Sequence, residues 1–493
     1  MGFTTQIFLF IFFSFSIVVY YLCVLAEQKG WFGGCFARFR LKDWMLVVIS
    51  FAFYGAARIS GVKELLLYIV AVYLAASLIE WCRLKKLVFP IFQEHGDGCR
   101  CLWKAAFATI ALVGTAALAV CLLIRCKYWG FFTGNPGAKP YAFLGISFLT
   151  FSALSYLVDV YKEKAKAGSF LDCALYLSFF PKVVSGPIVL WRDFQPQIAE
   201  RTVSLDGAMD GINRLMVGFA KKLILADMFG ACIAEMSSSY GIDVPTAWGA
   251  VLLYMLQIYY DFAGYSDIAI GLALLFGFRC RENFDFPYRS CSITEFWRRW
   301  HISLGTWFRE YVYIPLGGSR LGQRRTLGNL AVVFLLTGIW HGAGWTYILW
   351  GGINGACVLF ERMIWDKPLY QKIPKLFKWC TASMVTMFCW EFFRFESLGK
   401  YLDWLRMMAG MFPFERMLFT WEWYFTPRIV FLMAVAILGA TILGSEQIQN
   451  RWKQFVATKW GYALQEVGLL VLFGISILCM VNSTYKPFIY FQY

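Results

Sequence analysis

The chain holds three histidines in 493 residues, and two of them stand in segments unlike the rest. Residues 337–352 read TGIWHGAGWTYILWGG, with His341 at the centre. It is the only Asp, Glu, Lys, Arg or His between Arg325 and Glu361. Ionisable groups in apolar runs are costly, and they mark pathways or reaction sites. An imidazole titrating near neutrality suits general-base work on a hydroxyl. Gly338 and Gly342 are four apart, as are Gly351 and Gly355. That spacing allows close helix approach or opens backbone toward a cavity. Trp340, Trp345 and Trp350 supply rigid walls. The plainer alternative is a core histidine bonded to a neighbouring carbonyl.

His301 lies in EFWRRWHISLGTWFRE, beside Arg298, Arg299 and Trp300. The surrounding segment, Arg279 to Arg325, contains nine arginines, no lysine and ten aromatic residues. Its plain reading is an interfacial stretch, with arginines snorkelling and aromatics at headgroup level. His301 would then be a surface residue. Arginine's planar fork also suits a phosphate-bearing ligand, and the two readings are compatible. Asp261 and Asp267, in YYDFAGYSDIAIG, could pair with an arginine, relay protons or orient a histidine. GxSxG, P-loop and dinucleotide fingerprints are absent. His95-x₃-Cys99-x-Cys101 offers ligand-type residues, but the spacing is no standard zinc pattern and no fourth ligand is near, so no metal is expected. The fifteen cysteines are scattered without a CxxC pair and read as small hydrophobes.

The elements that must position these groups are apolar helices. The chain is 59% hydrophobic and 16% charged, with a mean hydropathy of +0.56, whereas a soluble protein carries roughly a quarter charged residues. Expected spans are 3–26, 43–60, 64–82, 103–125, 141–161, 170–190, 213–235, 247–278, 327–358, 376–394, 429–447 and 464–482. Imperfect segments among them bring the expected count to about eleven. The stretch 170–190 is interrupted by Pro181, Lys182, Gly186 and Pro187, which predicts a broken or re-entrant segment. At 1.5 Å per residue, 247–278 would be ~48 Å long, which predicts strong tilt or a break near Gly264. The first run, Ile7 to Ala26, reads as a retained span rather than a cleaved leader. The net charge of +15 falls in short loops between apolar runs. It therefore points to membrane orientation rather than to nucleic acid, and it predicts an N-terminus outside.

Five blocks carry a resemblance: LGISFLTFSALSYLVDVYK (144–162), LYLSFFPKVVSGPI (175–188), YYDFAGYSDIAIGL (259–272), ENFDFPYRSCSITEFWRRWHISLGTWFREYVYIPLGG and TGIWHGAGWTYILWGGING. With the closing NSTYKPFIYFQY, they resemble the membrane-bound O-acyltransferase (MBOAT) family, and most its bacterial alginate O-acetylation branch. The resemblance covers most of the chain from about residue 140; the N-terminal third matches mainly in hydropathy.

The resemblance implies one all-α polytopic domain over 1–493: N-terminal spans 1–140, a catalytic core 141–360 holding interfacial segment 279–325, and C-terminal spans 361–493. The family fold is a ring of helices around a central funnel. The activity implied is O-acetyl transfer at a bacterial cell membrane. A cytoplasmic thioester, acetyl-CoA, donates; an extracellular polysaccharide receives, commonly through a secreted SGNH-type partner. No bound cofactor is implied. By the same resemblance His341 is catalytic and His301 lines the same tunnel. His341 would take the acceptor's proton, while His301 or a backbone N–H would stabilise the oxyanion. Trp300, Trp340, Trp345, Asp261, Asp267, Asn283, Arg298 and Arg299 are further candidates for lining the tunnel or binding substrate. D-alanyl transfer to teichoic acid from a carrier-protein thioester is the alternative within the family. A transporter without chemistry is a third reading, although no inverted repeat supports it.

Overall fold

A computed structural model describes residues 2–30, 40–84, 97–133, 144–184, 186–238, 242–411 and 419–482. The side chains of His95, Cys99 and Cys101 lie outside the described residues. So do those of Arg38, Lys85, Lys86 and Arg100, basic residues of the loops after the first and third apolar runs, whose charge enters the expected orientation, and the tail 483–493. Among the described residues the regular elements are helical, and β structure is confined to one bridge between Phe284 and Trp300.

Five helical stretches are long and apolar enough to cross a membrane: Ile7–Lys29, Gly61–Arg83, Trp103–Phe132, Pro427–Gly444 and Lys459–Asn482. The remaining expected spans are shorter, broken or more polar. Ile146–Tyr161 has 16 residues, about 24 Å of helix. The stretch 170–190 is broken as its prolines predict, into Phe170–Ser178 and Phe180–Val183.

Of the two readings for 247–278 the break is overturned, and the single span expected at 327–358 is corrected. The helix α1 (Val244–Leu275) runs 32 residues without a break at Gly264. This glycine instead permits a close crossing: a Cβ there would stand 2.9 Å from the Gly218 oxygen and the Lys222 nitrogen. The run 327–358 is not one span but an antiparallel helical hairpin, α2 (Gln323–His341) and α3 (Trp345–Ile364). Its arms touch backbone to backbone. A Cβ on Gly338 would lie 2.6 Å from the Tyr347 oxygen, and one on Gly351 2.7 Å from the Phe334 oxygen. The two glycine pairs thus serve close approach, not an opened backbone.

The chain forms two units, residues 1–212 with 269–280, and residues 213–268 with 281–493. The first unit centres on buried aromatics, with Trp191 edge-on to Tyr156 at 4.6 Å. Its buried Arg201–Asp43 pair is joined by Arg40, which reaches Asp43 and Asp172 at 2.6 Å each. The second unit holds the hairpin, most of α1 and both candidate histidines. Its large apolar core runs from Ala226 to Ala440 and includes Trp300, Trp350 and Trp390.

Candidate active site

His301 sits in a joint between two short helices, α4 (Ile293–Arg299) and α5 (Ile302–Phe308). The joint is held like a strip of sheet. Asp285 N–H donates to the Arg299 oxygen at 3.0 Å, and Ile302 N–H to the Asn283 oxygen at 3.0 Å. Between those bonds His301 adopts a left-handed backbone, φ 47° and ψ 52°. A non-glycine residue there is strained, and such strain gathers at functional sites.

The side chain is equally fixed. His301 is 2% exposed, lies edge-on to Phe262 at 4.7 Å, and brings Nδ1 within 3.0 Å of Asn283 Oδ1. Its Nε2 has no hydrogen-bond partner among the described residues. An unsatisfied buried acceptor costs about 1–3 kcal/mol. Burial also pushes the imidazole's pKa down, to about 3, so the ring is neutral at physiological pH.

α4 is tied to the hairpin by its N-terminus. The Glu361 carboxylate of α3 accepts from Ile293 N–H at 2.6 Å, Thr294 N–H at 2.8 Å and the Thr294 hydroxyl at 2.7 Å. It satisfies donors that a helix start leaves unpaired. One turn further along α4, Trp297 Nε1 donates to Asn354 Oδ1 of α3 at 3.1 Å. Sequence reasoning missed both Glu361 and Asn354, because nothing local marks an acid or amide at the end of an apolar run as a partner for a helix 60 residues upstream.

These elements line a half-open cavity of about 1240 Å³. Trp297, Trp300 and His301 line it from the α4–α5 side, Phe334 and Thr337 from α2, and Arg362 from α3. Four arginines reach it: Arg298, Arg299, Arg309 and Arg362. Arg299 is paired with Asp285 and Glu295. Among the described residues Arg298, Arg309 and Arg362 make no ion pair, and all three are exposed. Free guanidinium groups beside a buried imidazole can receive an anionic, phosphate-bearing ligand.

His341 is built differently. It ends α2, is 5% exposed, and is wedged among Trp340 at 4.6 Å, Trp350 at 4.9 Å and Phe393 at 5.0 Å. It does not line the cavity; Thr337, one helical turn earlier, does. The link is Trp350, which contacts His341 and stands edge-on to the lining Trp297 at 5.4 Å.

The structure brings Asn283, Trp300, Arg298 and Arg299 to the His301 site and Trp340 to His341. It does not bring the others. Trp345 is 68% exposed rather than a wall; Trp350 stands beside His341 as expected, and Phe393 takes the place of Trp345. Asp261 is held by Lys222 at 2.6 Å, and Asp267 by Arg214 and Lys221 at 2.7 Å each. Both are buried ion pairs, and neither lines the cavity.

The model of the MBOAT, membrane-bound O-acyltransferase family matches residues 63–377, which take in α1 to α5 and both histidines. The chain belongs to the MBOAT family. This MBOAT acyltransferase is 36% identical over 375 residues to the probable alginate O-acetylase of Pseudomonas putida, covering 71% of this chain and 75% of the relative. It is 29% identical over 404 residues to the peptidoglycan O-acetyltransferase of Helicobacter pylori, covering 71% and 74%. It is 33% identical over 229 residues to the teichoic acid D-alanyltransferase of Streptococcus thermophilus, covering 43% and 55%. An acyltransferase with several apolar helices is a multi-pass membrane protein.

Proposed function

We propose that this MBOAT protein moves acetyl groups from cytoplasmic acetyl-CoA toward an extracellular polysaccharide, handing them on through a secreted SGNH-type partner. In this reading about eleven helices surround a funnel in a bacterial cell membrane, with the N-terminus outside. One observation carries the proposal: a single cavity joins a buried neutral imidazole, His301, to three exposed arginines without ion pairs. The arginines suit the donor's phosphates, and the imidazole suits a reacting hydroxyl. His341, reached through Trp297 and Trp350, is the second imidazole, and the resemblance gives it the catalytic role. The likeness to alginate and peptidoglycan O-acetyl relatives, each covering 71% of the chain, favours acetyl over D-alanyl, whose relatives in Streptococcus thermophilus and Bacillus subtilis cover 43% and 59%.

The test is transfer from labelled acetyl-CoA by purified protein in vesicles, with His341→Ala and His301→Ala alongside. Each change should lower thioester turnover by about two to four orders of magnitude, the usual worth of acid–base groups, while folded protein is retained. Full turnover by His341→Ala would sink its catalytic role. Turnover with a D-alanyl carrier-protein thioester and none with acetyl-CoA would replace the acetyl reading.

A further inference from the structure

The bonding around His301 fixes more than its place. Asn283 Oδ1 meets three groups: His301 Nδ1 at 3.0 Å, Ser303 Oγ at 2.8 Å and the backbone nitrogen of Ser303 at 3.3 Å. A backbone N–H can only donate, so the atom facing it is the amide oxygen and not the amide nitrogen. Asn283 Nδ2 agrees, donating to Ser266 Oγ at 3.0 Å on α1. An amide oxygen cannot donate, so Nδ1 of His301 must carry the proton. The proton of a neutral imidazole is then spent on Asn283, and Nε2 is left as a bare acceptor without a partner among the described residues.

We propose that Asn283 is a positioning residue that locks His301 as the Nδ1–H tautomer, so that Nε2 accepts the proton of the acyl acceptor's hydroxyl. The inference rests on the acyl-transfer reading; it moves the proton-accepting role from His341 to His301 and takes from His301 the role of oxyanion donor. As the hydroxyl oxygen attacks, its proton passes to Nε2 and a C–O bond forms to the thioester carbonyl. When the C–S bond breaks, the same proton leaves with the thiolate as a thiol. Oxyanion stabilisation then falls to a backbone N–H or to another side chain, since the locked ring has no proton at Nε2 to offer.

The charged groups around His301 are few. On its own segment they are Asp285, Glu295, Arg298, Arg299 and Arg309; on the hairpin side of the cavity they are Arg362 and Asp366. Asp261 and Asp267 on α1 are each held by their own cations. A carboxylate placed at residue 283 would therefore be a new charge in direct contact with the ring. It would favour imidazolium and raise its pKa.

Three measurements test the proposal. First, ¹⁵N-histidine NMR of full-length protein carrying His95→Gln and His341→Gln reports His301 alone. Protonation at Nδ1 with a bare Nε2 is expected, and protonation at Nε2 overturns the proposal. Second, Asn283→Leu should lower kcat for acetyl transfer by roughly 100-fold or more while the donor's KM changes little. Third, Asn283→Asp, which keeps the acceptor oxygen and guards against misfolding, should restore turnover and move the acid limb of the pH profile upward by about one unit or more. Wild-type turnover in Asn283→Leu, or a wild-type pH profile in Asn283→Asp, overturns the inference and leaves the acyl-transfer reading intact. No transfer from acetyl-CoA by the wild type overturns that reading, while the tautomer measurement still decides the lock.

Discussion

His301 and His341 occupy the same unit and are both nearly buried, yet their surroundings are opposites. His301 is held by polar bonds: a left-handed backbone, a strip of sheet-like pairing, and an amide oxygen on Nδ1. His341 is wedged among rings at the end of a helix whose partner lies within glycine distance. Polar anchoring fixes orientation and tautomer together, because a hydrogen bond has a donor and an acceptor. Aromatic packing fixes position, because it depends on shape. The first kind of site specifies a proton's location, and the second specifies where a ring can be.

Three substitutions bear on that contrast, beyond the tests already given. Trp350→Ala removes the ring shared by both sites, in contact with His341, Trp297 and Phe393. A cost of about 3–5 kcal/mol in unfolding free energy is expected, as for other large aromatic truncations in cores. Transfer should fall with it, read by denaturation and turnover in the same detergent. Unchanged turnover would show that the two histidines work independently. Glu361→Ala leaves the start of α4 without its acceptor and should cost about 1–3 kcal/mol. It should disturb the His301 side far more than the packing around His341, which fluorescence or hydrogen exchange of the α4 amides would resolve. Trp345→Ala should change stability by no more than about 0.5 kcal/mol, since the side chain is exposed. A large loss there would restore Trp345 as a wall.

Some of this was legible in the residues. The apolar runs, the break at Pro181 and the isolation of His341 between Arg325 and Glu361 are local facts, because apolar length and backbone-breaking residues act over a few turns. The five conspicuous blocks marked the family. The hairpin at 342–344 was not legible, because WHGAGW is as apolar as the helices it separates and hydropathy cannot see a turn made of small residues. Nor was Gly264's role, since a glycine inside a helix reads as a weak point until the chain it touches is known. The acids were half legible. An ion pair was one of the readings for Asp261 and Asp267, but Lys222 as the partner of Asp261 lies 39 residues away and shows only in the fold.

Composition by itself determined a membrane protein of helices, residue type singled out both histidines, and the resemblance of the motif blocks marked an acyltransferase, because all three are carried by the chain alone. The tertiary structure decided which groups each residue meets. It set Trp345 outside and Trp350 inside, bound Asp261 and Asp267 to cations, capped α4 with Glu361, and set the Asn283 amide oxygen against Nδ1 of His301. Those outcomes depend on which distant groups meet, and hydrogen bonds and ion pairs are chosen by distance and direction in space rather than by neighbours in sequence.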